Sequence, residues 1–140
     1  MGRYTEIVRY MNENRELFNM ESMTAEEVAR EAAINGVPQD YIDFLTEVGC
    51  GSVLNSYFHF YGGLVEATEI FDHLMDGEEH EELEDVLLFG DNGSGDGIGF
   101  LTTDGWRIVE IWHDDNLSIQ PREEKSFEEF VLKLFADRNE

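Results

Sequence analysis

The chain has 140 residues, with nine Lys and Arg against thirty-two Asp and Glu, a formal net charge of −23. Duplex DNA, RNA and anionic membrane surfaces are all held through Lys and Arg and would repel such a chain, so these partners are excluded. Disorder is excluded as well, because 41% of the residues are hydrophobic and 12% aromatic, whereas disordered acidic chains are poor in aromatics.

Tyr4, Ile7, Val8 and Met11 share one face of a helix predicted over Tyr4–Phe18. Thr24 followed by Glu27 is a capping box, which opens a short second helix through Val28, Ala29, Ala32 and Ala33 that Gly36 ends. Pro38 suits the start of a third helix, with Tyr41, Phe44, Leu45 and Val48 at helical spacing and Gly49 as its stop. Val53–Tyr61 is rich in β-branched and aromatic residues and predicts a strand ending at Gly62-Gly63. Ala67–Met75 returns to helical spacing, and Val86–Phe89 reads as a buried strand.

After a loop over Gly90–Gly97, Ile98–Thr103 and Trp106–Trp112 flank Asp104-Gly105, the chemistry of a two-residue hairpin turn. In the second arm Trp106, Ile108, Glu110 and Trp112 alternate with Arg107, Val109 and Ile111, which implies burial on both faces or aromatics lining a partly exposed one. Leu117–Gln120 predicts a last strand. A second capping box at Ser126 and Glu129 opens a helix with Phe127, Phe130, Val131, Leu134 and Phe135 inward. The expected architecture is α+β, a mainly antiparallel central sheet flanked by N-terminal helices and a C-terminal helix. One domain spans residues 1–140.

The charge is unevenly placed. Between Arg30 and Arg107 lie 76 residues with seventeen acids and no Lys or Arg, and Asp72–Asp85 alone holds eight carboxylates. Two readings of this run are open: a solvated acidic face, or an anionic recognition surface for a basic partner. His73 and His80 lie inside it, where neighbouring carboxylates favour the imidazolium form.

Chemical motifs are sparse. Asp91–Gly97 lacks the oxygen ligands of a calcium loop at its third, fifth and twelfth positions (Gly93, Gly95 and Thr102), and no Lys follows as in a phosphate cradle. His113-Asp114-Asp115 has ligand chemistry but no second His at ligand spacing. Cys50 has no cationic neighbour in sequence, and Ser94 lacks the spacing of a nucleophile elbow. Neither an enzyme signature nor a cofactor or metal motif emerges. The lone Cys50 suits a reducing compartment, and Met1–Glu6 lacks the apolar run of a signal peptide, so a cytoplasmic location is expected.

Three segments resemble the SUKH superfamily, which includes bacterial toxin-immunity proteins and a fungal cell-wall assembly regulator. Val37-Pro38-Gln39-Asp40-Tyr41-Ile42-Asp43-Phe44-Leu45 leading to Gly49-Cys50-Gly51 is similar to the family's Pro, aromatic, Phe-Leu helix and its turn. Leu88–Asp96 is similar to its glycine-rich strand–loop–strand, and Val109–Asp114 with Ser126–Phe130 to its last strand and terminal helix. Gly49 stands where the family commonly has Asn, and Ile108 where a Pro often precedes the last strand.

The resemblance spans about residues 37–135. It implies a non-enzymatic α+β binding domain with no catalytic set, usually an immunity protein that neutralises a toxin, often a nuclease. A nuclease presents a cationic cleft, which this charge complements. The partner-binding acids expected on that argument are Asp72, Asp76, Glu78, Glu79, Glu81, Glu82, Glu84 and Asp85, then Asp91, Asp96, Asp114 and Asp115. A regulatory interaction module without a toxin partner, and a small metal-dependent hydrolase built on His113, are the alternatives.

Overall fold

The computed structural model describes residues 4–54, 57–70, 81–92, 96–112 and 117–138, with the side chains of 70, 81, 82 and 136–138 left aside. Its helices are α1 (Thr5–Glu13), α2 (Ala25–Ala32), α3 (Gln39–Glu47), α4 (Ala67–Ile70) and α5 (Phe127–Arg138). Its strands are β1 (Asn19–Glu21), β2 (Cys50–Val53), β3 (Phe58–Glu66), β4 (Val86–Asp91), β5 (Gly97–Leu101), β6 (Arg107–Trp112) and β7 (Ser118–Pro121). The strands form one antiparallel meander in the order β1 to β7, so the expected α+β architecture with an antiparallel central sheet is observed.

The opening helix is shorter than the apolar spacing predicts. Asn14, at φ −132°, breaks it, and its Nδ2 donates to the Tyr10 carbonyl at 2.9 Å, offering the backbone a side-chain partner in place of another helical turn. One 3₁₀ turn (Arg15–Leu17) then leads into β1, which no periodicity announced. β1 lies so close to β2 that a Cβ at Gly49 would sit 2.1 Å from the Glu21 carbonyl oxygen, and Gly49 and Gly51 both hold positive φ. Glycine here is what admits the edge strand.

α2 carries the complete capping box: Thr24 Oγ1 accepts from the Glu27 N–H at 3.1 Å, and the Thr24 N–H donates to Glu27 Oε1 at 2.9 Å. The single strand expected over Val53–Tyr61 is two strands, with Val53 facing Phe58 across a reversal. Asn55-Ser56 was the turn signal inside that run. Gly62-Gly63 lie within β3 rather than at its end, where the register with β4 shifts between Phe60 and Val65. The hairpin between β5 and β6 is as expected but its turn is wider than two residues, since Leu101 pairs with Arg107. Gly105 and Trp106 both take positive φ, which folds the Trp106 ring back onto Phe100, 5.5 Å between centroids, and over Gly36.

The sheet is buried on both faces. One face carries Val53, Phe58, Phe60, Phe89, Ile98, Phe100 and Ile108 against residues of α1, α3 and α5. Phe127 of α5 sits at the centre of this layer, with ring centroids 4.8 Å from Phe89, 5.1 Å from Tyr41 and 5.2 Å from Phe44. The other face buries Leu88, Val109, Ile111 and Leu117 beneath Ala67 and Leu83. Of the two readings its alternation left open, the strand Arg107–Trp112 shows something of each: Ile108, Val109 and Ile111 are buried on opposite faces, while Trp112 at its end is exposed. Among the described residues no helix is long and apolar enough to cross a membrane.

α5 is anchored by a half-formed capping box and by α3. The Glu129 N–H donates to Ser126 Oγ at 3.1 Å, Glu129 Oε2 accepts from Lys125 rather than Ser126, and the Glu128 N–H reaches across to Asp40 Oδ2 at 2.9 Å. This docking of α5 over the sheet end positions the cleft described next.

Candidate functional site

The expected partner-binding acids do not form one patch among the described residues. Asp72, Asp76, Glu78, Glu79, Asp114 and Asp115 lie outside them, as do His73, His80, Ser94 and His113, and only the backbone of Glu81 and Glu82 is described. Glu84 and Asp85 are exposed at the start of β4, on a 3₁₀ turn (Glu81–Asp85) tied down by Thr102, whose N–H donates to the Asp85 carbonyl at 2.9 Å. Asp91 ends the six-residue strand that follows, which at about 3.4 Å per residue places it roughly 20 Å from Asp85.

Asp91 and Asp96 are both half-buried and engaged locally. Asp91 Oδ2 accepts from the Tyr61 hydroxyl at 2.9 Å, and burial together with that carboxylate pushes the Tyr61 phenol well above its ordinary value. The Asp96 N–H donates to Asn92 Oδ1 at 3.3 Å while the Asn92 N–H donates back to the Asp96 carbonyl at 3.2 Å, a loop closed on itself.

On the sheet face opposite the aromatic core, β2, β3 and β4 bring Ser52, His59 and Asp91 into one cross-strand row. Ser52 Oγ lies 3.2 Å from His59 Nδ1. The row has the residue types of a catalytic triad but not its geometry, since the Asp91 carboxylate holds the Tyr61 hydroxyl and the serine occupies the Nδ1 side that the acid would orient. Neighbouring Cys50 is no better suited to nucleophilic chemistry, because burial, then Glu21 and Glu27, push its thiol up. Among the described residues no three of His, Cys, Asp and Glu converge to hold a metal ion.

The best-built polar site was not foreseen from sequence. Glu124 is 3% exposed, the one buried charged residue among those described. Arg122 grips it with Nε to Oε1 at 2.6 Å and a second nitrogen to Oε2 at 3.2 Å, and reaches Glu110 with its remaining nitrogen. Lys133 of α5 adds an ion pair to Glu124 at 3.4 Å and another to Glu123. The Arg122 guanidinium also lies over the Phe130 ring, 5.1 Å from its centroid. Burial alone would raise the Glu124 carboxyl, but the hydrogen bond and charge of Arg122, with smaller help from Lys133, hold it below the ordinary value.

Glu110, Arg122 and Lys133 of this network, with Phe130, form one wall of a cleft of about 230 Å³ between α5 and the ends of β3 to β6, lined also by Tyr57, Phe58, Asn92, Ile98 and Leu134. The signal for it in the sequence was Glu110, a carboxylate on the same strand face as Trp106 and Ile108, which needs a cation if that face is covered. Comparison with protein-family models and with curated proteins finds no match to this chain.

Proposed function

We propose that the chain is a non-enzymatic protein-binding domain of SUKH type, an immunity protein that acts in the cytoplasm by binding and neutralising a basic, nuclease-type toxin domain. The observation that carries the reading is the placement of charge. Of all the acids described only Glu124 is buried, while Arg9, Arg107, Arg122 and Lys133 are already ion-paired to carboxylates of the chain itself. The other described carboxylates are all at least partly exposed, and an excess of −23 lowers stability through self-repulsion and gains a return only when a cationic surface meets it. Carboxylates on such a surface can occupy phosphate-like positions in a nuclease cleft.

The test is capture of a partner from the native host at low salt, elution on a salt gradient, and assay of the eluted basic domain with and without this chain. Binding should abolish the toxin's activity. The on-rate should fall roughly 10- to 1,000-fold between low and high salt, because steering by surface charge is screened. A toxin whose activity survives saturation by this chain, or an affinity indifferent to salt, would sink the proposal.

A further inference from the structure

Among the described α-helices, α2 alone has no buried residue. The side it turns to the protein carries Glu27, Val28 and Glu31, all half-buried, so the helix itself sets one large apolar side chain, Val28, against the core. Eight residues are too few for a helix to hold in water unaided. Glu27 is occupied in the capping box. What joins α2 to the sheet is Glu31, whose Oε1 accepts from the Leu64 N–H of β3 at 2.7 Å. Its Oε2 lies 2.8 Å from where a Cβ on Gly63 would stand, so the carboxylate rests directly on the strand backbone.

The strand is irregular at that point. Phe60 pairs with Gly90 and Val65 with Leu88, so the residues from Tyr61 to Leu64 stand opposite Phe89 alone. Such a bulge takes strand backbone groups out of the ladder, and here a helix carboxylate holds one of them. A second group acts in the opposite sense. The Tyr41 hydroxyl is buried with no hydrogen-bond partner among the described residues. Burial, and after it the Glu31 carboxylate, push its phenol up, so the hydroxyl lies within reach of the charge on α2. A buried hydroxyl without a partner carries a desolvation cost that disappears when water reaches it.

We propose that α2 is a lid that swings off β3 as one unit while α3, α5 and the sheet stay folded, and that the Glu31 carboxylate on the Leu64 N–H is its latch. The latch favours the closed state and the Tyr41 hydroxyl the open one, a balance that makes a segment with few buried contacts open far more often than the whole domain. Its ends are fixed. β1 stops at Glu21, and Gly36, at φ +89°, lies under the Trp106 ring, whose Nε1 would be 2.7 Å from a Cβ there. The motion is therefore confined to the residues between Ser22 and Asn35. Opening brings the Leu64 N–H and the Tyr41 hydroxyl to solvent. The inference stands apart from the basic-partner reading, since it needs no partner.

The experiment is amide hydrogen exchange on the full ¹⁵N-labelled chain, in urea concentrations below the unfolding transition. The Val28 to Ala33 amides and the Leu64 amide should share one dependence on urea, shallower than that of the Phe89 and Ile108 amides in the central strands. Glu31→Ala should speed the α2 amides about ten- to a hundredfold, the loss of one hydrogen bond to a charged acceptor. Those amides bond within the helix, so they respond only if the latch holds α2 as a unit. Tyr41→Phe should slow the same amides about two- to fivefold, because the closed state no longer hides an unpaired hydroxyl. Three results would each overturn the lid: α2 amides that follow the steep dependence of the central strands, a response to Glu31→Ala confined to Leu64, or exchange no slower in Tyr41→Phe than in the parent.

Discussion

Replacing Glu124 by Gln keeps its shape and removes the charge that Arg122 and Lys133 share. The Glu124 side chain is 1% exposed and the Arg122 side chain 28%. Breaking a fully buried ion pair from one side costs about 3–5 kcal/mol, because the partner's charge is left uncompensated in a poor solvent. Here Arg122 keeps Glu110 and some access to water, which brings the expected loss down to about 2–4 kcal/mol. For a chain of this size each kcal/mol lowers the melting temperature by roughly 3–4 °C, so Glu124→Gln should melt about 6–15 °C below the parent.

The assay is thermal and urea unfolding of Glu124→Gln, Arg122→Met and the double variant, followed by circular dichroism. The double variant should be less unstable than the sum of the single changes by about 1 kcal/mol or more, because each single change strands a charge that the double does not. The effect has a definite pH dependence. The folded carboxyl lies below the ordinary carboxylate range, so its contribution is complete above the unfolded carboxylate range and is lost as pH falls through the folded value. Parent and Glu124→Gln should therefore converge in stability as the pH falls through that lowered value. Single variants within about 0.5 kcal/mol of the parent, strict additivity, or a gap that persists unchanged into strong acid would refute the reasoning.

Two further outcomes follow from the packing. The Tyr41 hydroxyl is buried with no hydrogen-bond partner among the described residues, on a side chain that is 1% exposed. Tyr41→Phe should therefore leave stability unchanged or raise it by up to about 1 kcal/mol in urea unfolding, and a loss of more than about 1 kcal/mol would mean that the hydroxyl is satisfied. Gly49→Ala forces a Cβ to within 2.1 Å of the Glu21 carbonyl at a φ of +103°, so β1 should detach from β2 at a cost of about 1–3 kcal/mol. Amide exchange reads this directly, and undiminished protection across the β1–β2 pairs would contradict it.

Local chemistry was enough to read much of the fold. The Thr24–Glu27 box, the Pro38 start and Gly49 stop of α3, and the inward face of α5 each depend on residues within one or two turns, so a short window contains the whole cause. The hairpin was readable from Asp104-Gly105 for the same reason, but its turn width was not. Trp106 adopts positive φ beneath packing from Phe100 and Gly36, and Gly36 lies seventy residues earlier in the chain. β1 escaped because a three-residue edge strand has no period of its own.

The sequence by itself determined the sign and size of the charge and its concentration between Arg30 and Arg107. Only the tertiary structure decided where charge is neutralised. Arg122 meets Glu110 across the β6–β7 pairing and Lys133 reaches Glu124 from α5, while Glu84 and Asp85 are parted from Asp91 by the length of β4. Strand register and helix docking set those distances, and both are settled by the collective packing of the aromatic core rather than by any stretch of neighbouring residues.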